Sequence, residues 1–220
     1  RPHALTAHGE TRIDPYYWLR DDEREDPEVL GYLRAENAYT DTIMEYAGSL
    51  RDDLYEELKA RIPARESGFP YRLGEWFYLW RYEPGQEHPV YLRRRGAEDA
   101  SDQVILDVNE LAGAHEFYTV TGLTVSEDGG LLAYGEDDLS REIYTLRVRD
   151  LQSGEWLEDR IRDTAGEYAW ANDGRTLYYV AQDPVTLRPG SVYRHRLGDD
   201  PSEDLLVYEE PDITFSVSLE

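Results

Sequence analysis

From Tyr71 onward, apolar and polar residues alternate in short runs, and this alternation predicts β-strands separated by tight turns. Residues 123–129 and residues 168–174 share one pattern, an apolar run that leads into a turn closed by glycine. Three further strands follow each of these segments. The sequence therefore predicts a four-stranded unit that is repeated with a period of about 45 residues.

The strands predicted after Tyr71 fall into three copies of this unit. The first and loosest copy comprises 71–72, 76–82, 90–94 and 104–107; the second comprises 123–129 with its turn, 131–134, 143–148 and a strand around Trp156; the third comprises 168–174 with its turn, 176–181, 192–197 and 205–208. Four short strands in such a period are typical of a β-propeller blade, a small sheet that buries its faces against neighbouring blades.

The predicted blades cover residues 70–113, 117–160 and 165–210, and a fourth blade would begin at residue 212. The predicted fold class is mainly β with an N-terminal α-helical extension. Because three blades cannot close a ring, we expect about three blades of an incomplete propeller. We also expect the chain to be the front part of a larger protein.

The residues before the repeats follow a helical period instead. Asp26 and Pro27 precede an apolar stripe, which predicts a helix with Asp26 as N-cap and Pro27 at the first helical position. Ser49 and Asp52 resemble a capping box for a second helix, which Pro63 would end.

Composition restricts the partners. The chain has 47 acidic against 23 basic residues and a net charge of −24, so it would repel a phosphate backbone, and we exclude nucleic acid. The acidity fits either a solvated surface suited to a salty cytoplasm or a field that attracts cationic substrates. No apolar run approaches the length of a membrane span, the N-terminus does not resemble a signal peptide, and cysteine is absent. We expect a cytoplasmic protein without membrane association.

Candidate chemistry is scarce along the chain. No serine lies in the Gly-x-Ser-x-Gly setting of a nucleophile elbow, and the five histidines are scattered, without partners at metal-ligand spacing. His195 is predicted to share a strand face with other large side chains. The acidic pair Asp137-Asp138 lacks a calcium-binding loop, and glycines between antiparallel strands do not cradle phosphate. We therefore predict no catalytic, cofactor-binding or metal-binding residue in this chain.

The lengths of the connections suggest one functional surface. The loops between second and third strands are long and carry mixed charge, whereas the other turns are short. In a propeller the long loops open on one face, so we predict that they contact another domain. The residues predicted to make this interdomain contact are Asp137, Asp138, Arg141, Asp183 and Arg188.

Several segments resemble one enzyme family. Residues 14–21, Asp-Pro-Tyr-Tyr-Trp-Leu-Arg-Asp, resemble the N-terminal signature of the prolyl oligopeptidase family of serine peptidases. Narrower matches resemble its oligopeptidase B branch, also called protease II; they are residues 2–4, 61–66, 115–118, 139–144, 170–173 and 183–187.

The resemblance implies a two-domain enzyme that cleaves short peptides after arginine or lysine. Residues 1–68 would pack with a C-terminal α/β-hydrolase domain, and residues 69–220 would form part of a seven-bladed propeller that gates access to it. The Ser-His-Asp triad, the oxyanion hole and the pocket for the basic side chain would lie in the hydrolase domain. We expect the 220-residue chain alone to be inactive and to need no cofactor.

The sequence leaves two other classes of function to consider. A non-catalytic, propeller-type binding or scaffold protein related to these peptidases is the main alternative, whereas the lack of a nucleophile disfavours a small self-contained enzyme. A Gly-x-Ser-x-Gly motif followed by Asp and His downstream of Glu220 would favour the peptidase.

Overall fold

The computed structural model describes residues 1–219 and divides the chain into two compact units, Arg1–Pro63 and a second unit that begins at Ala64. The first unit opens with a hairpin of β1 (His3–Ala7) and β2 (Glu10–Asp14). Its two loop residues, His8 and Gly9, both have positive φ, 53° and 81°, as a type I′ turn requires. This hairpin was missing from the sequence prediction of a purely helical segment.

Helix α1 (Pro27–Met44) confirms the predicted N-cap. The Asp26 carboxylate accepts a hydrogen bond of 2.8 Å from the backbone N–H of Glu28, and Pro27 occupies the first helical position. A short 3-10 turn, Tyr17–Leu19, precedes this helix.

Helix α2 (Gly48–Ala60) corrects the predicted capping box. It begins before Ser49, with Ala47 at the N-cap position and no side-chain capping bond. A 3-10 turn, Glu45–Ala47, connects α1 directly to α2, so a helical backbone already precedes the residues that were expected to start the helix.

The second unit contains two antiparallel sheets, and each sheet is built from consecutive strands of the chain. The five-stranded sheet is formed by β3 (Glu66–Ser67), β4 (Tyr71–Leu73), β5 (Trp76–Tyr82), β6 (Val90–Arg95) and β7 (Gln103–Asp107). Both β3 and β4 pair with β5, which places residues 66–67 with the sheet rather than with the helices. A short helix, α3 (Val108–Ala112), follows β7.

The seven-stranded sheet contains the second and third predicted copies. Its strands are β8 (Thr119–Val125), β9 (Leu131–Asp137), β10 (Tyr144–Asp150), β11 (Trp156–Trp170), β12 (Thr176–Gln182), β13 (Pro189–Arg196) and β14 (Leu205–Glu209). Each strand pairs with the next, and a 3-10 turn, Pro201–Glu203, lies between β13 and β14.

Strand β11 corrects the predicted break between residues 160 and 165. Its first part pairs with β10 and its second part with β12, so the two copies share one strand. Asp163 and Gly166 have φ of 57° and 80°, and the pairing registers shift around Thr164. The strand therefore bends where the sequence suggested a boundary.

The strand predicted from residue 212 is wrong for residues 212–219, which form no strand, and Glu220 lies outside the described residues. The backbone N–H of Val217 instead donates to the Pro189 carbonyl over 2.9 Å, and that of Leu219 donates to the Glu167 carboxylate over 2.8 Å. These bonds place the segment beside β13 and β11 without extending the sheet.

Three apolar clusters lie in the second unit, and the smallest consists of Leu79, Val90 and Leu92 in the five-stranded sheet. A larger one joins the two sheets and includes Tyr78, Leu106, Leu132 and Tyr134, so the faces of these neighbouring repeats are buried against each other. The third lies within the seven-stranded sheet and includes Leu146, Ile161, Leu177 and Tyr179. Burying each such side chain contributes about 1.5–3 kcal/mol, so these clusters hold the connections at the strand ends in place.

Candidate functional site

The long connections are brought together at one end of the two sheets. The β5–β6 connection contacts the start of α3, where the Asn109 side chain accepts a 2.9 Å bond from the His88 N–H and donates one of 2.9 Å to the His88 carbonyl. The β9–β10 connection reaches the segment after α3, where Asp138 Oδ2 lies 3.6 Å from His115 Nδ1. We call these connections, 83–89, 108–118 and 138–143, together with the equivalent β12–β13 connection 183–188, the loop face.

A cleft of about 320 Å³ opens within the loop face. Its lining residues come from the β5–β6 connection, from α3 and from the segment between α3 and β8; they are Glu87, His88, Asn109, Ala112, Gly113, His115, Glu116, Phe117 and Tyr118. Charged, imidazole and aromatic groups share the wall, so the cleft suits polar recognition rather than binding of a purely apolar ligand.

Tyr118 forms the inner wall of the cleft. Its hydroxyl donates a 2.8 Å bond to Glu136, whose carboxylate also lies 3.0 Å from Arg147 Nη1 and 3.2 Å from Arg160 Nη2. Burial, with smaller effects from Tyr134 and Glu136, raises the pKa of Tyr118, so this phenol remains a neutral donor. The network fixes the wall of the cleft to strands β9, β10 and β11.

Asp137 shapes its loop instead of presenting its carboxylate to a partner. Only 3% of the residue is exposed, and its carboxylate accepts 2.8–2.9 Å bonds from the backbone N–H groups of Leu139, Arg141 and Glu142. Ser140 and Glu142 both have positive φ in this loop. Asp138 is exposed beside Asp137, and Arg141 is partly buried in the same loop.

Asp183 and Arg188 belong to the other predicted loop. Asp183 accepts bonds of 2.9 and 2.7 Å from the N–H groups of Val185 and Thr186, and these bonds, led by that from Thr186, lower its carboxyl pKa. Arg188 donates to the carbonyls of Phe215 and Glu210 over 2.9 and 3.4 Å. The structure thus groups the five predicted residues into two loops, and each of the five makes a contact within this chain, Asp138 with His115 and Arg141 with Asp137.

The predicted absence of catalytic, cofactor-binding and metal-binding residues stays a prediction, and the structure describes residues 1–219. In that range, no group of three or more His, Asp or Glu side chains is arranged to hold a metal ion. None of the helices described there is long and apolar enough to cross a bilayer. The cleft could not be predicted from the sequence because its walls come from segments that are separated along the chain.

A family model for the prolyl oligopeptidase N-terminal β-propeller domain matches residues 1–220. The chain belongs to the prolyl oligopeptidase family. This confirms the resemblance carried by residues 14–21.

Two relatives in this family match almost the whole of this chain. It is 42% identical to dipeptidyl aminopeptidase BI from Pseudoxanthomonas mexicana over 100% of the chain and 32% of the relative, and 36% identical to protease 2 from Moraxella lacunata over 98% of the chain and 32% of the relative. The chain thus spans about a third of the length of these proteins.

Solved structures of oligopeptidase B share the fold. The enzyme from Leishmania major matches with a TM-score of 0.89 and 31% identity over 98% of this chain and 33% of its own. The Trypanosoma brucei enzyme in its closed form, with covalently bound antipain, matches with a TM-score of 0.86 and 27% identity, over 98% of this chain and 32% of its own. The fold is therefore that of the N-terminal portion of such peptidases.

Proposed function

We propose that this chain is the access-controlling portion of a serine oligopeptidase that hydrolyses short peptides after arginine or lysine. The observation that carries the proposal is the match of the propeller-domain model to residues 1–220, combined with relatives of which the chain spans about a third. The remaining two thirds would hold the Ser-His-Asp triad, since this chain has no Gly-x-Ser-x-Gly motif.

In this proposal the repeats are about three blades of a seven-bladed propeller, and the N-terminal segment 1–68 packs with the α/β-hydrolase domain. A narrow entry would admit short peptides and exclude folded proteins, which restricts a general acyl-transfer mechanism to small substrates. The net charge of −24 would favour the approach of basic peptides, in a cytoplasmic enzyme.

The loop face is the proposed contact with the hydrolase domain. Asp138, Arg141, Asp183 and Arg188 would present mixed charge to that domain, while Asp137 would hold the first loop in shape. Complementary charge at such an interface mainly affects the register of the two domains and the rate at which they meet.

The direct test compares the 220-residue chain with the full-length protein on an arginyl reporter peptide. We expect turnover only by the full-length protein, and a variant lacking its elbow serine supplies the background rate. Turnover by the 220-residue chain itself would refute the absence of catalytic groups, and an inactive full-length protein would favour the scaffold alternative.

A second activity is favoured by the relative with 42% identity, which is named a dipeptidyl aminopeptidase. Such an enzyme needs a free N-terminus two residues before the scissile bond, whereas an endopeptidase accepts a blocked one. Paired reporters with the same arginine and either a free or an acetylated N-terminus separate the two activities. Cleavage of the free reporter alone would replace our endopeptidase proposal.

A further inference from the structure

His195 lies in β13 with no exposed surface, and both of its ring nitrogens face carboxylates. Its Nδ1 is 2.6 Å from Asp204 Oδ1, and its Nε2 is 2.9 Å from Asp159 Oδ1. The two acidic side chains are themselves only 3% and 7% exposed. We call these three residues the buried triplet.

The geometry of the triplet fits a protonated imidazole. An ionised carboxylate accepts hydrogen bonds but cannot donate them, so between two ionised carboxylates each ring nitrogen must carry a proton to bond both partners. The acids have further donors, since Asp159 accepts from the Gly198 N–H over 2.6 Å and Asp204 accepts from the Tyr179 hydroxyl over 3.0 Å. These contacts favour an imidazolium at His195 held between two carboxylates.

The pKa shifts of His195 and Asp159 both favour the ionised forms, in agreement with the hydrogen bonds. Burial lowers the pKa of His195, but the hydrogen bonds and charges of Asp159 and Asp204 outweigh it, and the net direction is upward. Burial raises the pKa of Asp159, but the bonds from His195 and the Gly198 N–H outweigh it, and the net direction is downward.

The triplet joins strands that are not neighbours. Asp159 lies in the part of β11 that pairs with β10, whereas His195 lies in β13, which pairs with β12 and β14. Asp204 follows the 3-10 turn that leads into β14. A side-chain bridge therefore connects the second repeat to the outer strands of the third repeat.

We propose that the buried triplet is a pH-sensitive latch, in which imidazolium at His195 ties β11 to β13 and to the β13–β14 connection, and loss of its proton loosens that junction. The titratable groups that face His195 are Asp159 on β11 and Asp204 before β14, with Tyr179 on β12 bonded to Asp204. A neutral imidazole has one N–H, so one of the two carboxylates would then face a bare ring nitrogen across the contact.

The sign of the effect follows from linkage. Because folding raises the histidine pKa, the stabilisation is fully present below the ordinary value of 6.5 and is lost as pH rises through the higher folded value. Because folding lowers the Asp159 pKa, its contribution is present above 3.8 and is lost only as pH falls through the lower folded value. The latch therefore opens as pH rises through a midpoint above 6.5.

The test measures deuterium exchange at the imidazole C2 position by mass spectrometry across a pH series, in the full-length protein. This exchange reports the titration of each histidine separately. We expect a midpoint above 6.5 for His195 and a lower midpoint in Asp159→Asn and in Asp204→Asn, with Asp199→Asn in the same β13–β14 connection as the matched control. A wild-type midpoint at or below 6.5 would overturn the proposal without requiring any variant.

Backbone amide exchange in the same samples tests whether loss of the His195 proton loosens the contact between the strands. After correction for the intrinsic rate, protection of β14 should fall as pH rises through the His195 midpoint, by at most about tenfold for each pKa unit of the shift. In His195→Gln this pH dependence should disappear. Protection that is independent of pH in the wild type would show that the triplet titrates without acting as a latch.

Discussion

Strand β8 passes close to strand β11 at two glycines, Gly122 and Gly166. We therefore predict that Gly122→Ala destabilises the fold. Gly122 has a φ of 63°, and a Cβ at this position would lie 2.1 Å from the Gly166 carbonyl oxygen and 2.8 Å from Tyr168 Cε2. The first of these neighbours is backbone, which cannot rotate away. The substitution must therefore separate the two strands.

Two costs combine in this substitution. A residue with a side chain in the left-handed region costs about 1–2 kcal/mol. Overpacking of a filled interior typically costs a further 1–3 kcal/mol. We expect Gly122→Ala to lower the free energy of unfolding by about 2–5 kcal/mol.

Gly74→Ala is the matched control because it isolates the backbone cost. Gly74 has a nearly identical φ of 60°, but no atom lies within 4 Å of the position that its Cβ would take. We expect it to lose only about 1–2 kcal/mol. Urea unfolding followed by tryptophan fluorescence, with both variants and the wild type measured together, gives the comparison. Equal losses in the two variants would refute the close approach of the strands.

Three further predictions concern charged groups. The hydrogen bond from Arg94 is the main cause of the lowered pKa of Asp102, so the pair stabilises the fold above pH 3.8, and this contribution is lost as pH falls through the lower folded value. The Arg94→Met variant should therefore melt at a lower temperature than the wild type at pH 7 but not at the acid end of a pH series. A difference in melting temperature that does not depend on pH would contradict this. Asp137→Ala should cost about 1–3 kcal/mol because three backbone donors lose their acceptor, and limited proteolysis should cut residues 138–143 faster; an unchanged cleavage rate would contradict this. Asp138→Arg should lower the activity of the full-length protein on the arginyl reporter peptide by up to about fivefold. Asp199→Arg makes the same change of charge outside the loop face and should leave this activity unchanged. Equal effects of the two variants would argue against the proposed domain contact.

Most strands could be predicted from the sequence because each leaves a local signal. Runs of apolar and β-branched residues beside glycine-containing turns located β9, β12 and β13 within a few residues of their observed bounds. The cap at Asp26 was equally local, since both the acceptor and Pro27 are adjacent to the helix. The His8-Gly9 turn also has a local signal, although the N-terminal segment was predicted to be purely helical.

The errors arose where backbone or contacts outside the recognised pattern decide the structure. Ser49 had the sequence of a cap, but the preceding 3-10 turn had already started the helical backbone. The continuity of β11 depends on pairing with β10 on one part and β12 on the other, which no pattern within residues 156–170 shows. The cleft and the buried triplet each combine residues that are distant in sequence, so spacing alone could not reveal them.

The two junctions between repeats should therefore respond differently to pH. The five-stranded and seven-stranded sheets are joined by polar bonds from Arg93 to the Gly129 carbonyl, from Gln103 to the Leu151 carbonyl and from Arg149 to the Ile105 carbonyl. Guanidinium and amide donors keep their protons throughout the accessible range, so these bonds do not titrate.

The junction between the second and third repeats has the opposite character. It combines the shared backbone of β11 and the packing of Gly122 against Gly166 with the buried triplet, which does titrate. A rise in pH through the His195 midpoint should thus loosen β14 while leaving the protection of β7 and β9 unchanged. Amide exchange that increased equally at both junctions would mean that the sheets open as one unit, and the separate roles of the arginine bonds and the triplet would then be wrong.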